Sequence, residues 1–209
     1  MVACEKHGRV RDAFRSYGAA AFSVDTQPTT KAGPHYCGSV LDLEHMHIDL
    51  LIGFPPCTYL AKVAQQYKKY NWNAHQCAVT FFLRLYSFKA NYKALENPAG
   101  TMNTIFKKPS QIIHPYMFGH AEKKETCLWL VNLPPLQSTT IVKNPISRLG
   151  KLGSCPGRSD IRSKTFSGIA DAMAFQWLHY LQQTGYINQT ERLDHFPAPQ
   201  RNPYQPAIF

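Results

Sequence analysis

The sequence of 209 residues lacks three features that would assign it to common protein classes. Its six cysteines include no Cys-x-x-Cys pair, the spacing typical of zinc ribbons and redox dithiols. No uninterrupted apolar stretch approaches the roughly 20 residues that a membrane span needs. The N-terminus, MVACEKHGRV, lacks the basic-then-apolar order of a signal peptide. We therefore expect a cytoplasmic protein, in the host cytoplasm if the chain is viral, with no membrane or metal partner.

Acidic residues are absent from two long stretches, residues 50–95 and 126–159. Both stretches carry several Lys and Arg residues, and the first interleaves them with tyrosines and Trp72. Basic groups meet phosphates, and exposed aromatic rings stack on unpaired bases. A solvated basic face with its aromatics in the core would account for either stretch alone. Together with a net charge of +10, the two stretches favour a nucleic-acid partner.

The composition is that of a globular protein, since 44% of the residues are hydrophobic and 17% are charged. The length suits one domain. We assign this domain to residues 1–185, where residues 131–164 form a short basic segment. Residues 186–209 are rich in proline, and we expect them to form an extended tail.

The apolar pattern predicts an open α/β fold with a mainly parallel sheet. Strands are predicted at 2–4, 20–25, 49–55, 94–97 and 126–131, and helices at 9–18, at 75–92 and from a Thr/Ser start in 162–186. In such folds, ligands bind at the carboxyl ends of the strands. Cys57 and Glu96 both lie at such ends.

Cys57 follows two prolines in GFPPCTYLA. A buried structural cysteine does not need a rigid loop in which two preceding residues lack an amide. Glu96 takes an equivalent position after a later strand. A soft nucleophile together with a proton donor indicates covalent catalysis on a ring.

These motifs resemble those of the cytosine-C5 DNA methyltransferases, in particular short phage-type members of that family. GFPPCTYLA is similar to the family's Pro-Cys nucleophile loop, and ENP at 96–98 to its Glu-Asn-Val motif. FGHAEKKETCLWL lies where the family has Gly-x-Pro-Gln-x-Arg-x-Arg before a strand. There Gly119 matches, Glu122 takes the Gln place, Lys124 the first Arg place and Thr126 the second. The resemblance covers nearly the whole chain and implies a Rossmann-like methyltransferase fold.

The resemblance implies that Cys57 adds to C6 of a cytosine while Glu96 protonates N3, which activates C5 for methylation. It further implies that Lys124 holds the base and that Asn97 fixes the nucleophile loop. We predict that a neighbouring cation or dipole lowers the pKa of Cys57, although the sequence does not identify that group.

The cofactor implied by the resemblance is S-adenosylmethionine. It would lie along Glu5, Gly8 and Asp25, then Ser39 and Pro55, with Gly168 closing the site. From the residues alone, Gly8 allows the turn that precedes the first helix, and Asp25 ends a strand at a position where an acid can bind a ribose. The family's glycine-rich loop is replaced here by ACEKHG.

The family normally carries a separate target-recognition domain where this chain has only residues 131–164, so we expect low sequence specificity. The expected partner is DNA, either single-stranded or with the target base extruded from the duplex. Three alternatives stay open. The same chemistry could act on RNA or a pyrimidine mononucleotide, a degenerate methyltransferase fold could only bind nucleic acid, or an α/β domain could carry a fortuitous Pro-Cys.

Overall fold

A mixed β-sheet with helices on both faces organises the chain. The computed structural model describes residues 1–62, 71–151 and 157–186, which contain seven strands and six α-helices. The strands are β1 Val2–Ala3, β2 Ser23–Asp25, β3 His35–Cys37, β4 Ile48–Gly53, β5 Ala90–Asn97, β6 Gln111–Ile113 and β7 Thr126–Val131. The helices are α1 Arg9–Ser16, α2 Trp72–Tyr86, α3 Met102–Ile105, α4 Arg148–Lys151, α5 Arg158–Ser163 and α6 Ser167–Gln183.

The strands lie in the order β3-β2-β1-β4-β5-β7-β6. Pairs among β1 to β5 are parallel, whereas β7 runs antiparallel to both of its neighbours. This arrangement confirms the predicted α/β class with a mainly parallel, Rossmann-like sheet. The chain order reverses between β1 and β4, and a crevice opens at such a switch point, outside the carboxyl ends of the strands.

Alternate residues of the central strands feed two hydrophobic cores, one on each face of the sheet. Ile52 of β4 packs into the core that contains Phe14 of α1 and Trp177 of α6. Its neighbour Leu51 packs into the opposite core with Phe82 of α2. Coverage on both faces explains why β4 reads as a continuous apolar run.

The predicted helix over 75–92 is wrong at its C-terminal end. Helix α2 ends at Tyr86, and β5 begins at Ala90. Residues 90–92 pair with β4 instead, with Ala90 opposite Ile48. The Nζ atom of Lys93 donates to the carbonyls of Tyr86 at 2.7 Å and Phe88 at 3.1 Å, which satisfies the end of the helix. Local apolar content could not distinguish this buried strand from a continued helix.

The short strands β3 and β6 were not predicted, because three-residue strands carry little periodic signal. In the described part of residues 132–166, the regular elements are α4 and α5. The predicted tail lies outside the described residues from 187 onward. None of the helices in the described ranges is long and apolar enough to cross a membrane.

Candidate active site

Two cavities open where the carboxyl ends of β1, β2, β4 and β5 meet. The larger has a volume of about 650 Å³ and the smaller about 360 Å³. Both are lined by Cys4, which follows β1, and by Phe54, which follows β4. The cavities therefore adjoin at the switch point of the sheet.

Cys57 lies on a loop that is held close to the sheet. Asn97, at the end of β5, donates from Nδ2 to the carbonyl of Pro55 at 3.0 Å. The Cys57 carbonyl accepts the amides of Leu60 at 3.0 Å and Ala61 at 3.1 Å, which forms a turn after the nucleophile position. Cys57 itself is exposed, and it lines the larger cavity. The prolines and Asn97 thus fix the position of the Cys57 thiol just after the carboxyl end of β4.

Glu96 and Lys124 line the same cavity as Cys57. The antiparallel register of β5 and β7 places Asn97 opposite Cys127, so the residues that precede β7 lie beside the end of β5. Glu96 forms a side-chain hydrogen bond with Thr126, which is itself 4% exposed. The register therefore brings Lys124 and Thr126 to Glu96.

The cavity changes the acidity of its two reactive groups. Desolvation by the cavity wall, followed by the Glu96 carboxylate, raises the pKa of Cys57, so the predicted lowering of this pKa is wrong in its net direction, although Lys124 and Arg162 act to lower it. Burial also raises the pKa of Glu96 against the opposing effects of Lys124 and of the Thr126 hydrogen bond. A carboxyl group with a raised pKa retains its proton to higher pH and can act as a general acid.

The smaller cavity is lined by the loop that joins β1 to α1 and by Asp25 at the end of β2. In this loop, Glu5 is 6% exposed, and its two carboxyl oxygens accept the amides of Val10 at 2.6 Å and Arg11 at 3.2 Å. Burial raises the pKa of Glu5 to about 7, although these two hydrogen bonds lower it. Glu5 therefore binds the first amides of α1 and supports the cavity wall.

The sequence-predicted residues fall into three groups. Cys57, Glu96, Lys124 and Pro55 line the larger cavity, whereas Glu5 and Asp25 line the smaller one. The residues that line neither cavity are Gly8, Ser39, Asn97 and Gly168. Ser39 accepts the amide of Leu41 at the start of a 3-10 helix, so its predicted cofactor contact stays a prediction.

At two of the predicted site residues, both glycines, the local structure leaves no space for a side chain. Gly8 precedes α1 with a φ of 64°, and a Cβ atom there would lie 2.3 Å from the guanidinium of Arg11. At Gly168, a Cβ atom would lie 1.9 Å from the carbonyl oxygen of Phe118, and its amide donates to Nε2 of His120 at 3.0 Å. Gly168 thus allows α6 to approach the chain before β7.

Sequence reasoning missed the contribution of residues 157–166. Ser163 and Thr165 line both cavities, while Arg162 and Lys164 line the larger one. The sequence predicts a short basic segment over 131–164 and the last helix within 162–186, and nothing in these local patterns indicates the cavity. Glu122, placed in the family's Gln position, is buried and accepts the amides of Arg148 and Leu149 at the start of α4.

Comparisons with known proteins include a distant structural neighbour. No protein-family model matches the chain, and no curated protein matches it in sequence. Among solved structures, the chain is similar to a DNA modification methyltransferase encoded within a prophage (E. coli), with a TM-score of 0.43 and 12% identity. The match covers 70% of this chain and 52% of that chain. The chain thus spans about half the length of that structure, and its activity, substrates and partners are matters for proposal.

Proposed function

We propose that this chain is an S-adenosylmethionine-dependent methyltransferase that acts on C5 of cytosine in DNA. One observation supports this function above the others. Cys57, Glu96 and Lys124 line one cavity, and this cavity adjoins a second, smaller one. A nucleophile, a proton donor and a cation beside a separate ligand cavity fit the addition chemistry that cytosine C5 requires.

In the proposed reaction, the Cys57 thiolate forms a bond from Sγ to C6 of the base. The π electrons of the C5–C6 bond then shift into the ring, and N3 takes a proton from Glu96. C5 becomes nucleophilic as a result. Once C5 carries the methyl group, transfer of the C5 proton to water returns its electron pair to C5–C6 and expels the Cys57 thiolate from C6. N3 then returns its proton to Glu96, which restores the aromatic ring. The raised pKa of Glu96 supports its role as the proton donor.

The smaller cavity fits the proposed cofactor in size and position. Its volume of about 360 Å³ is within the range of sites for small molecules. Asp25, at the end of β2, lines this cavity together with residues 4–7, and in this proposal its carboxylate accepts hydrogen bonds from ribose hydroxyls. When bound, S-adenosylmethionine supplies an electrophilic methyl group. Cys4 and Phe54 line both cavities, so a cofactor in the smaller cavity would lie next to a cytosine in the larger one.

The larger cavity suits a base that has left its stack. Its volume of about 650 Å³ exceeds that of the smaller cavity, and its lining includes four cations. These are Lys62, Lys124, Arg162 and Lys164. Extruding a base from a duplex costs a few kcal/mol, and this cost is avoided in single-stranded DNA. We therefore propose that single-stranded or locally unpaired DNA is the better substrate.

Covalent trapping tests the proposed function directly. The protein is incubated with S-adenosylmethionine and DNA that contains 5-fluorocytosine, whose fluorine blocks the final loss of the C5 substituent. Wild type should form a complex that survives denaturation, and Cys57→Ala should form none, because it has no sulfur to add to C6. Cys77→Ala removes another exposed cysteine and should trap as wild type does.

The substrate is resolved by the same assay with radiolabelled methyl donor. Duplex DNA, single-stranded DNA, RNA and dCMP are compared in parallel. Methyl transfer to RNA or dCMP alone would replace the DNA assignment and keep the chemistry. Transfer to none of the four, with retained DNA binding, would favour a binding module. Turnover by Cys57→Ala would exclude the thiol from the mechanism.

A further inference from the structure

The segment that carries α5 is held over both cavities by contacts from distant parts of the chain. Asp160 forms ion pairs with Lys6 at 2.8 Å and with Lys164 at 3.0 Å. Arg9 donates to the carbonyl of Thr165 at 2.8 Å. Lys6 and Arg9 tie the segment to the start of α1 and the loop before it, and the Lys164 pair lies within the segment, so its side chains have a defined place at the cavity.

Within this segment, Arg162 contacts Lys124 and lines the cavity that contains Cys57. Its carbonyl accepts a hydrogen bond from Nζ of Lys124 at 3.3 Å, and both residues line the cavity of Cys57. Within residues 1–62, 71–151 and 157–186, no acidic side chain forms an ion pair with the Arg162 guanidinium. Its charge is therefore available to a group in the cavity.

The charges around the cavity act differently on its two reactive groups. Lys124 lowers the pKa of both Cys57 and Glu96. Arg162 lowers the pKa of Cys57 and is absent from the groups that act on Glu96. Other charged groups also line this cavity, namely Lys62, Glu125 and Lys164. Arg162 can thus favour a thiolate without promoting loss of the Glu96 proton.

We propose that Arg162 is a positioning residue that supports Cys57 in its thiolate form. Arg162 lines the cavity of Cys57, its carbonyl accepts a hydrogen bond from Lys124, and its guanidinium has no ion pair with an acid among the described residues. A thiolate beside a carboxyl group needs such a cation, because the carboxylate repels it once ionised. The catalytic use of this thiolate rests on the proposed function, whereas the effect of Arg162 on the acidity of Cys57 can be measured without substrate.

Alkylation of Cys57 by iodoacetamide between pH 6 and pH 10 tests the proposal on the protein without DNA. Peptide mass analysis follows Cys57, with Cys77 as the reference thiol in each sample. In Arg162→Gln, the profile of Cys57 should move to higher pH, and its rate at neutral pH should fall about three- to tenfold, since one opposite charge at a half-exposed site shifts a pKa by about half a unit to one unit. Arg162→Lys keeps the charge and should restore most of the rate.

The control is Arg84→Gln, which removes a cation paired with Glu44 away from the cavity and should leave the profile unchanged. Arg162→Ser provides a second neutral variant, and thermal unfolding checks that each variant is folded. An unchanged profile in either folded neutral variant would overturn the proposal. If DNA binding weakened at the same time, Arg162 would be a phosphate contact. Failure of methyl transfer in wild type would contradict the proposed function and leave this result intact.

Discussion

Cys57 and Glu96 impose opposite demands on one small volume. In the proposed reaction, the thiol loses its proton before it adds to the base, and the carboxyl group keeps a proton that it can donate. Burial raises the pKa of both groups, which suits Glu96 and opposes Cys57. Each group also affects the other, because the Glu96 carboxylate raises the pKa of the thiol. The cations Lys124 and Arg162 partly offset this conflict.

The coupling between the two groups predicts the effect of Glu96→Gln. Above its own raised pKa, Glu96 is ionised and holds the thiol in its neutral form. Removal of that charge should lower the pKa of Cys57 and move its alkylation profile to lower pH, with a rate increase of about three- to tenfold at mildly alkaline pH. The same variant should lose methyl transfer, because glutamine cannot protonate N3.

The matched control for this prediction is Glu125→Gln. Glu125 lines the same cavity but is not among the main groups that act on the pKa of Cys57. Its neutralisation should leave the alkylation profile in place. Equal shifts in the two variants would show that the general potential of the cavity, and not a specific pair, controls the thiol.

At the scale of elements, the ends of helices and strands decide how the site is built. The carboxylates of Glu5 and Glu122 each accept two amides at the start of a helix, α1 and α4 respectively. The family resemblance implies a cofactor contact for Glu5. A buried carboxylate at these amides satisfies groups that have no partner within the helix. Glu5 acts on the smaller cavity through the helix that it holds.

The close approach of α6 to Phe118 predicts that Gly168→Ala is destabilising. A Cβ atom 1.9 Å from a backbone carbonyl oxygen requires the helix or the loop to shift. We expect a loss of about 3 kcal/mol in the free energy of unfolding, at the upper end for overpacking. Urea denaturation measures it, with the exposed α6 variant Asp171→Ala as control. A loss within about 0.5 kcal/mol, typical of surface changes, would contradict the packing.

At the scale of the whole molecule, the net charge of +10 is less informative than the placement of its cations. Of the four cations that line the larger cavity, only Lys62 belongs to either of the two acid-free stretches. The others lie just outside them in sequence. The basic stretches favoured a nucleic-acid partner, but they did not locate the cavity.

The cavity cations predict a salt-dependent affinity for DNA. Each phosphate contact contributes about 0.7 (single strand) to 0.9 (duplex) to the slope of log K against log salt concentration. Replacing Lys62 by glutamine should therefore reduce the slope by about 0.7 for a single strand. Fluorescence anisotropy of a labelled single strand at several salt concentrations measures it. Removal of Lys31 and Arg84, which pair with Asp12 and Glu44, is the control and should change the slope less.

The sequence by itself determined the class of the fold, the position of Cys57 after β4 and the position of Glu96 at the carboxyl end of β5. Apolar runs, prolines and strand ends are local features, and the polarity of a parallel sheet then places strand ends on one edge. Local patterns did not predict the residue at which α2 ends, because β5 is recognised as a strand only through its pairing with β4.

Only the tertiary structure decided which charges meet the thiol. Arg162 is far from Cys57 along the chain, and it lines the same cavity because contacts from Lys6, Arg9 and Lys124 hold its segment there. The tertiary structure also explains why residue 168 is glycine, because the carbonyl oxygen of Phe118 lies too close to leave space for a Cβ atom. Contacts between distant segments depend on how packed elements are placed, and this information is absent from local periodicity.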